Sequence, residues 1–310
     1  MSTTRPQVDA NAVDEFLVHM NFKHEYLTSL GPNLYHYTDL AGLKGILENH
    51  DLWLSHSQYC NDDEEMTHGY TVAAEALAEA RKIADTPYLQ KIETMLKERP
   101  GVYICSFCDA QDLLNQWRNY AANGTGVSIE VETGWFSNLT GPDCSVGLFR
   151  FWKVYYDRDK QKGIINEAIA LFQPGQARTV GFTDDQLARK AADAIEFFIP
   201  TFKNPAFFQE SEWRLIFTPR PTPAGTPDLQ PRFRVARNML IPYYGLQDLK
   251  RASQFPPPVP GEPPIPLPVL SIRIGPSPNK KLNAQSARMI LNQYGYAAAA
   301  LETSDIPFRG

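Results

Sequence analysis

Glu210, Glu212 and Arg214 fall at every second position of "ESEWR". In an extended segment all three lie on one strand face, with Trp213, Leu215 and Phe217 on the other, core-facing side. Two carboxylates side by side repel each other unless a cation or a ligand sits between them. A carboxylate held in that way can stabilise positive charge developing in a transition state. The plain structural alternative is a salt-bridged sheet face in which Arg214 pairs with Glu212.

Two more groups could do chemistry. His36 stands between Tyr35 and Tyr37 in "LYHYT", which offers a directional hydrogen bond flanked by aromatic faces. Taken alone, such a histidine reads more readily as a satisfied residue at a strand end than as a ligand contact. Trp117, Arg118 and Tyr120 follow in "QWRNY", before a Gly turn that can re-enter a site. Cys105 and Cys108 form a CxxC, but no second CxxC or nearby HxxxH completes a zinc site. They read as ordinary buried thiols.

The elements that must position these groups are visible in the spacing. A helix is expected over 9–30, with Phe16, Leu17 and Met20 at helical spacing. Leu34, His36 and Thr38 share one face of a first strand, and Tyr35 and Tyr37 the other. Asp39 is an N-cap for a helix whose apolar stripe is Leu40, Leu43, Ile46 and Leu47. Gly42 and Gly45 disfavour that helix by up to about 1 kcal/mol each, which points to close backbone packing.

"LWLS" at 52–55 is a second strand, and "NDDEE" at 61–65 opens a long helix running towards Thr86 and Pro87. Acids in a first turn are favoured by the helix dipole, so Asn61 and its neighbours also have a structural explanation. Strands are expected at 102–107, in "GVSIEVE", at 149–156, after a turn in 203–217, in "VLSIRIGP" and in "YAAAALETS". Helices are expected at 112–123, 159–172, 184–199 and "LNAQSARMILNQY". The proline-rich stretch within 255–268 reads as an extended surface loop, a rigid spacer more readily than a partner site.

Interleaved strands and helices without regular alternation indicate an α+β fold with mixed or antiparallel central sheets and flanking helices. The expected organisation is an N-terminal helix within 1–30 and a single α+β domain over 31–310. At 310 residues and 43% hydrophobic content the chain can bury a large core. A formal net charge of −5 gives no electrostatic reason for general nucleic-acid affinity. No apolar run spans a membrane and the N-terminus lacks a signal core, so a cytoplasmic protein without membrane partners is expected. Neither G-x-G-x-x-G nor a P-loop pattern occurs, which argues against Rossmann and P-loop sites.

The ordered motifs "LYHYTDLAGLKGILENHDLWLS", "ND..E", "WRNYA..G.GVSIEV", "F.ESEWRL" and "S.IPFR" resemble a large family of bacterial proteins catalogued as a domain of unknown function, from about Tyr35 to Arg309. The first of these segments is also similar to the first strand and helix of ADP-ribosyltransferase-like proteins, and "ESE" to the paired-glutamate motif of their arginine-modifying members. That resemblance implies an ADP-ribosyltransferase-like fold with NAD as substrate. It implies Glu212 for catalysis and Glu210 for orienting the target. His36 would bind the cofactor, with Tyr35, Tyr37, Asn61, Trp117, Tyr120 and Arg214 around it.

The middle motif of such enzymes has three candidate counterparts, Ser55, Ser57 and Ser106. Arg214 stands where it could neutralise Glu212, so an inactive, ligand-sensing version also fits. The leading expectation is an NAD-binding protein that transfers ADP-ribose to an unspecified protein or nucleic acid, or hydrolyses NAD, as a toxin or phage-defence effector. The alternatives are a non-catalytic nucleotide- or partner-binding protein, and a metal-dependent nuclease using Asp62, Asp63, Glu65, Glu210 and Glu212.

Overall fold

The structure is a computed structural model that describes residues 10–20, 33–59, 65–97, 101–139, 147–219, 229–236, 238–253, 264 and 266–307. Asn61, Asp62, Asp63 and most of the proline-rich stretch lie outside these residues, as does 21–30 of the expected N-terminal helix.

The architecture is α+β, with a mixed sheet and flanking helices. In chain order the described elements are α1 (Ala10–His19), β1 (Leu34–Thr38), α2 (Leu40–Asn49), β2 (Trp53–His56), α3 (Glu65–Ile83), α4 (Pro87–Met95), β3 (Tyr103–Cys108), α5 (Leu114–Tyr120), β4 (Val127–Val131) and β5 (Gly147–Lys153). Next come α6 (Arg158–Leu171), α7 (Asp184–Phe198), β6 (Glu212–Pro219), β7 (Arg232–Ala236), β8 (Met239–Gly245), α8 (Leu246–Ser253), β9 (Val269–Ile274), α9 (Lys280–Gln293) and β10 (Ala300–Thr303). The main strand order is β10-β9-β4-β1-β3-β2-β8-β7, with β6 on β3 and β5 on β6. Among the described strands, β9 and β10 alone pair in parallel.

The branch at β3 matters most for function. A strand has two hydrogen-bonding edges, and β6 occupies one along the whole of Tyr103–Cys108. The other edge is shared. β2 holds its start through Ile104 and Tyr103, and β1 touches its end only at Tyr35↔Cys108. Between them β1 and β2 part, leaving the edge of Cys105, Ser106 and Phe107 facing a gap.

Two cores lie on the two sides of the sheet. The larger packs α1, α3, α4, α6 and α7 against Ile104, Leu148, Trp152 and Ile216. The second packs α2, α8 and α9 against Cys105, Phe107, Leu215 and Phe217. Helix α1 belongs to the first core, since Phe16 is fully buried with its ring 5.7 Å from that of Phe198.

Local chemistry accounts for α2. The Asp39 carboxylate accepts from the Gly42 N–H at 2.6 Å, and Leu43, Ile46 and Leu47 are buried. Leu40 departs from the expected stripe and is exposed. A Cβ on Gly42 would meet Thr38 Oγ1 at 2.1 Å, whereas one on Gly45 would meet nothing within 4 Å. Close packing therefore explains Gly42 alone.

Asp51 caps α8 from outside it, accepting from the Gln247 N–H at 2.9 Å. Burial, with Asp248 adding, raises its carboxyl to about 6 from 3.8. A raised folded-state pKa means the ionised form is disfavoured on folding, so stability rises as pH falls from 6 towards 4. Asp51→Asn keeps the acceptor and removes the charge. Urea titrations of this variant should give higher stability at pH 7 and no gain between pH 6 and 4.

Candidate functional site

A cleft of about 570 Å³ opens at the β3 gap. Tyr35, His36 and Tyr37 line it from β1, Ser55 from β2, Ser106 from β3, Tyr120 from α5, and Glu210 and Glu212 from the segment entering β6. Residues separated by nearly the whole first two thirds of the chain meet there because β1 and β6 flank opposite edges of β3.

On β1 the face alternation holds. Leu34 enters the second core, while Tyr35 and Tyr37 pack in a small cluster with Cys108 and Trp117. The His36 Nδ1–H donates to the Ser106 carbonyl at 2.9 Å, an oxygen on the edge that β1 and β2 leave open. That bond fixes the tautomer, so Nε2 presents a lone pair. It has no hydrogen-bond partner among the described residues. Burial lowers the His36 pKa, partly offset by the Ser106 bond, so the ring is neutral at pH 7.

Trp117 does not line the cleft. It is fully buried behind Tyr37, with ring centroids 4.9 Å apart at 76°, and its Nε1–H donates to Asp112 Oδ1 at 2.6 Å. Ser304 Oγ donates to the same oxygen at 2.7 Å, tying the C-terminal segment to this wall. Tyr37 is held by its hydroxyl, which donates to the Ala110 carbonyl at 2.8 Å and accepts from the Leu113 N–H at 3.1 Å. Ser57 is buried off the cleft, while Ser55 and Ser106 line it.

The two glutamates do not share a strand. Glu210 ends a 3-10 turn, Pro205–Glu210, and Ser211 follows at φ 45° in the left-handed region before β6 begins at Glu212. The side chains converge nonetheless, because the buried Lys203 lies between them. Its Nζ donates to Glu210 Oε2 at 2.6 Å and to Glu212 Oε2 at 3.0 Å. Arg214 adds a two-pronged contact, Nε to Glu212 Oε1 at 2.8 Å and Nη2 to Oε2 at 2.9 Å, and its Nη1 donates to the Pro200 carbonyl. Tyr120 donates to Glu210 Oε1 at 3.0 Å.

This tetrad is buried and its two positive and two negative charges balance. Burial on its own would raise the Glu212 pKa, but the charges of Arg214 and Lys203 outweigh it and hold the carboxyl at about 2. Glu212 is therefore a fixed anion at the cleft. The position between the carboxylates that a metal would take is filled by the Lys203 ammonium. Among the described residues no group of three or more His, Cys, Asp or Glu is arranged to hold a metal. Cys105 and Cys108 are buried thiols outside any disulfide, and burial pushes Cys108 up to about 12.

Lys203, Gln116 and Arg234 belong to the site but carry no periodic signal. Gln116 Nε2 donates to the Glu210 carbonyl at 3.1 Å, fixing the turn before β6. Arg234 Nη2 donates to Ser55 Oγ at 3.1 Å from across the sheet.

A family described as "Protein of unknown function (DUF2971)" matches residues 116–215. That stretch runs from Gln116 through all four residues of the tetrad, and it does not reach His36. No curated protein matches the chain, and no solved structure does. Among the described residues no helix is long and apolar enough to cross a membrane.

Proposed function

We propose that the cleft binds NAD, or a related nucleotide, and that the protein is an ADP-ribosyltransferase-like enzyme that cleaves the bond between nicotinamide and ribose. The observation that carries this reading is that His36 and a permanently ionised Glu212 both line one cleft at the β3 gap. His36 Nε2 is an acceptor suited to a ribose hydroxyl, and Tyr37 offers a rigid aromatic face. As nicotinamide leaves with the bonding electrons, positive charge grows on the ribose, and the Glu212 carboxylate is stabilising there because it cannot take up a proton near neutral pH. Water or an acceptor then bonds to the ribose carbon. Glu210, held by Lys203 and Tyr120, orients the acceptor. A toxin or phage-defence role in a bacterial cytoplasm is part of the same reading and rests on resemblance alone.

One observation favours a second reading. Arg214 and Lys203 already engage both oxygens of Glu212, as expected of a non-catalytic cleft that only senses its ligand. Nicotinamide release from NAD by the purified protein, with and without cell extract, separates the two. His36→Ala should weaken NAD binding on the order of 10-fold, the loss of one hydrogen bond to a buried partner. Calorimetric titration of NAD at pH 8, where the lowered pKa keeps the ring neutral and Nε2 an acceptor, measures this loss. Equal affinities for the parent and His36→Ala would remove His36 from the site.

A further inference from the structure

We propose that the end of the cleft at β2, β8 and β7 is a second subsite, which takes the phosphate of a nucleotide on Arg234 and its flat ring on Trp53. The proposal rests on the nucleotide-binding reading above and assigns the part of the ligand remote from His36.

Strand register puts the two side chains together. Ser55 pairs with Tyr243 and Arg234 with Ile241, so Arg234 lies diagonally across β8 from Ser55 on one sheet face. Trp53, two residues before Ser55, shares that face. Its ring lies 4.6 Å from that of Tyr243 at 32°, yet 40% of Trp53 stays exposed where it lines the cleft. A rigid indole backed on one side by a second ring is a stacking platform for a planar base.

Arg234 supplies the charge. Its Nη2 donates to a neutral hydroxyl, and its Nε is buried without a hydrogen-bond partner. Among the described residues no carboxylate lies within ion-pair distance of it, whereas Lys203 and Arg214 are matched by Glu210 and Glu212. A half-buried guanidinium with a single neutral partner is under-compensated, and a phosphate is the anion its planar fork fits best. Val235 and Ile241 close the apolar part of the wall. The volume, about 570 Å³, is within the usual range for a nucleotide-sized ligand.

The test is calorimetric titration of ADP, adenosine and NAD into the full-length protein and into Arg234→Gln, Arg234→Lys and Trp53→Ala, with melting temperatures as controls. ADP should bind the parent more tightly than adenosine. Arg234→Gln should weaken ADP on the order of 10-fold to 100-fold while leaving adenosine unchanged, and Arg234→Lys should lose less. Trp53→Ala should weaken both on the order of 10-fold. Failure of the parent to bind ADP at millimolar concentration, or equal ADP affinity in folded Arg234→Gln, overturns the subsite. Absence of nicotinamide release together with Arg234-dependent ADP binding would remove NAD cleavage and leave the subsite in place. Nicotinamide release with ADP binding indifferent to Arg234 would do the opposite.

Discussion

Glu212→Gln lowers nicotinamide release from NAD on the order of 10²-fold to 10³-fold while NAD affinity changes little. Glutamine keeps the size of the side chain and one acceptor oxygen, though its amide nitrogen then faces a donor of Arg214 or Lys203, so the shape of the cleft is kept. What it loses is the negative charge that counts only as the ribose becomes cationic, and such interactions appear in turnover rather than in binding. The same variant is less stable, because Lys203 and Arg214 are left with one carboxylate between them. A carboxyl held at about 2 instead of 4.5 contributes about 3 kcal/mol at neutral pH, and removing one partner of a buried pair carries a similar cost. The sign follows from the depressed pKa: this contribution is present above pH 4.5 and is lost as pH falls towards 2. Melting temperature, NAD affinity and nicotinamide release on this one variant separate catalysis from scaffolding. A folded variant with parental release would sink the catalytic role, and a parent without release, destabilised by the change, would favour the ligand-sensing cleft.

The parts of the site legible in the sequence are those set by local rules. The face alternation of β1 and the Asp39 cap of α2 depend on neighbours within four residues, and period and cap chemistry report both. "ESEWR" departs from simple alternation for a local reason as well. Ser211 adopts a left-handed conformation that an alternation pattern cannot signal, so Glu210 belongs to the preceding turn. Trp117 and Tyr120 show a different limit. Both lie on or beside the cleft wall, but spacing does not distinguish a ring that lines a cavity from one that backs it. The pairing of Arg234 with Ser55 depends on the register of three strands, and β7 and β8, whose connection passes through Asn238 at φ 59°, have no clean alternating signature. Lys203 is the largest omission. It lies in "FKNP", a stretch with no periodicity, and gains its meaning only from the two carboxylates that the following turn brings to it.

Lys203→Met therefore tests the tetrad from the other side. The methionine fills similar volume but leaves Glu210 and Glu212 in one buried site with only Arg214 to balance them. Removing one partner from such a cluster destabilises by about 3–5 kcal/mol, since the remaining charge keeps its desolvation cost without its counter-ion. The pH dependence should also steepen. In the parent, Glu212 has a depressed pKa and its contribution is constant between pH 7 and 5, leaving only the modest gain from Asp51 there. In the variant one of the two carboxyls gains protons more readily folded than unfolded, so stability rises as pH falls from 7 towards 5. Adding Glu210→Gln should recover most of the loss at pH 7, because glutamine still accepts from Tyr120 while removing the charge that Lys203 no longer matches. Urea unfolding of the two variants and the parent at pH 5 and pH 7 decides the matter. If Lys203→Met alone retains parental stability at both values, the ammonium does not hold the glutamates, and the fixed charge on which the cleft's chemistry depends must come from Arg214 alone.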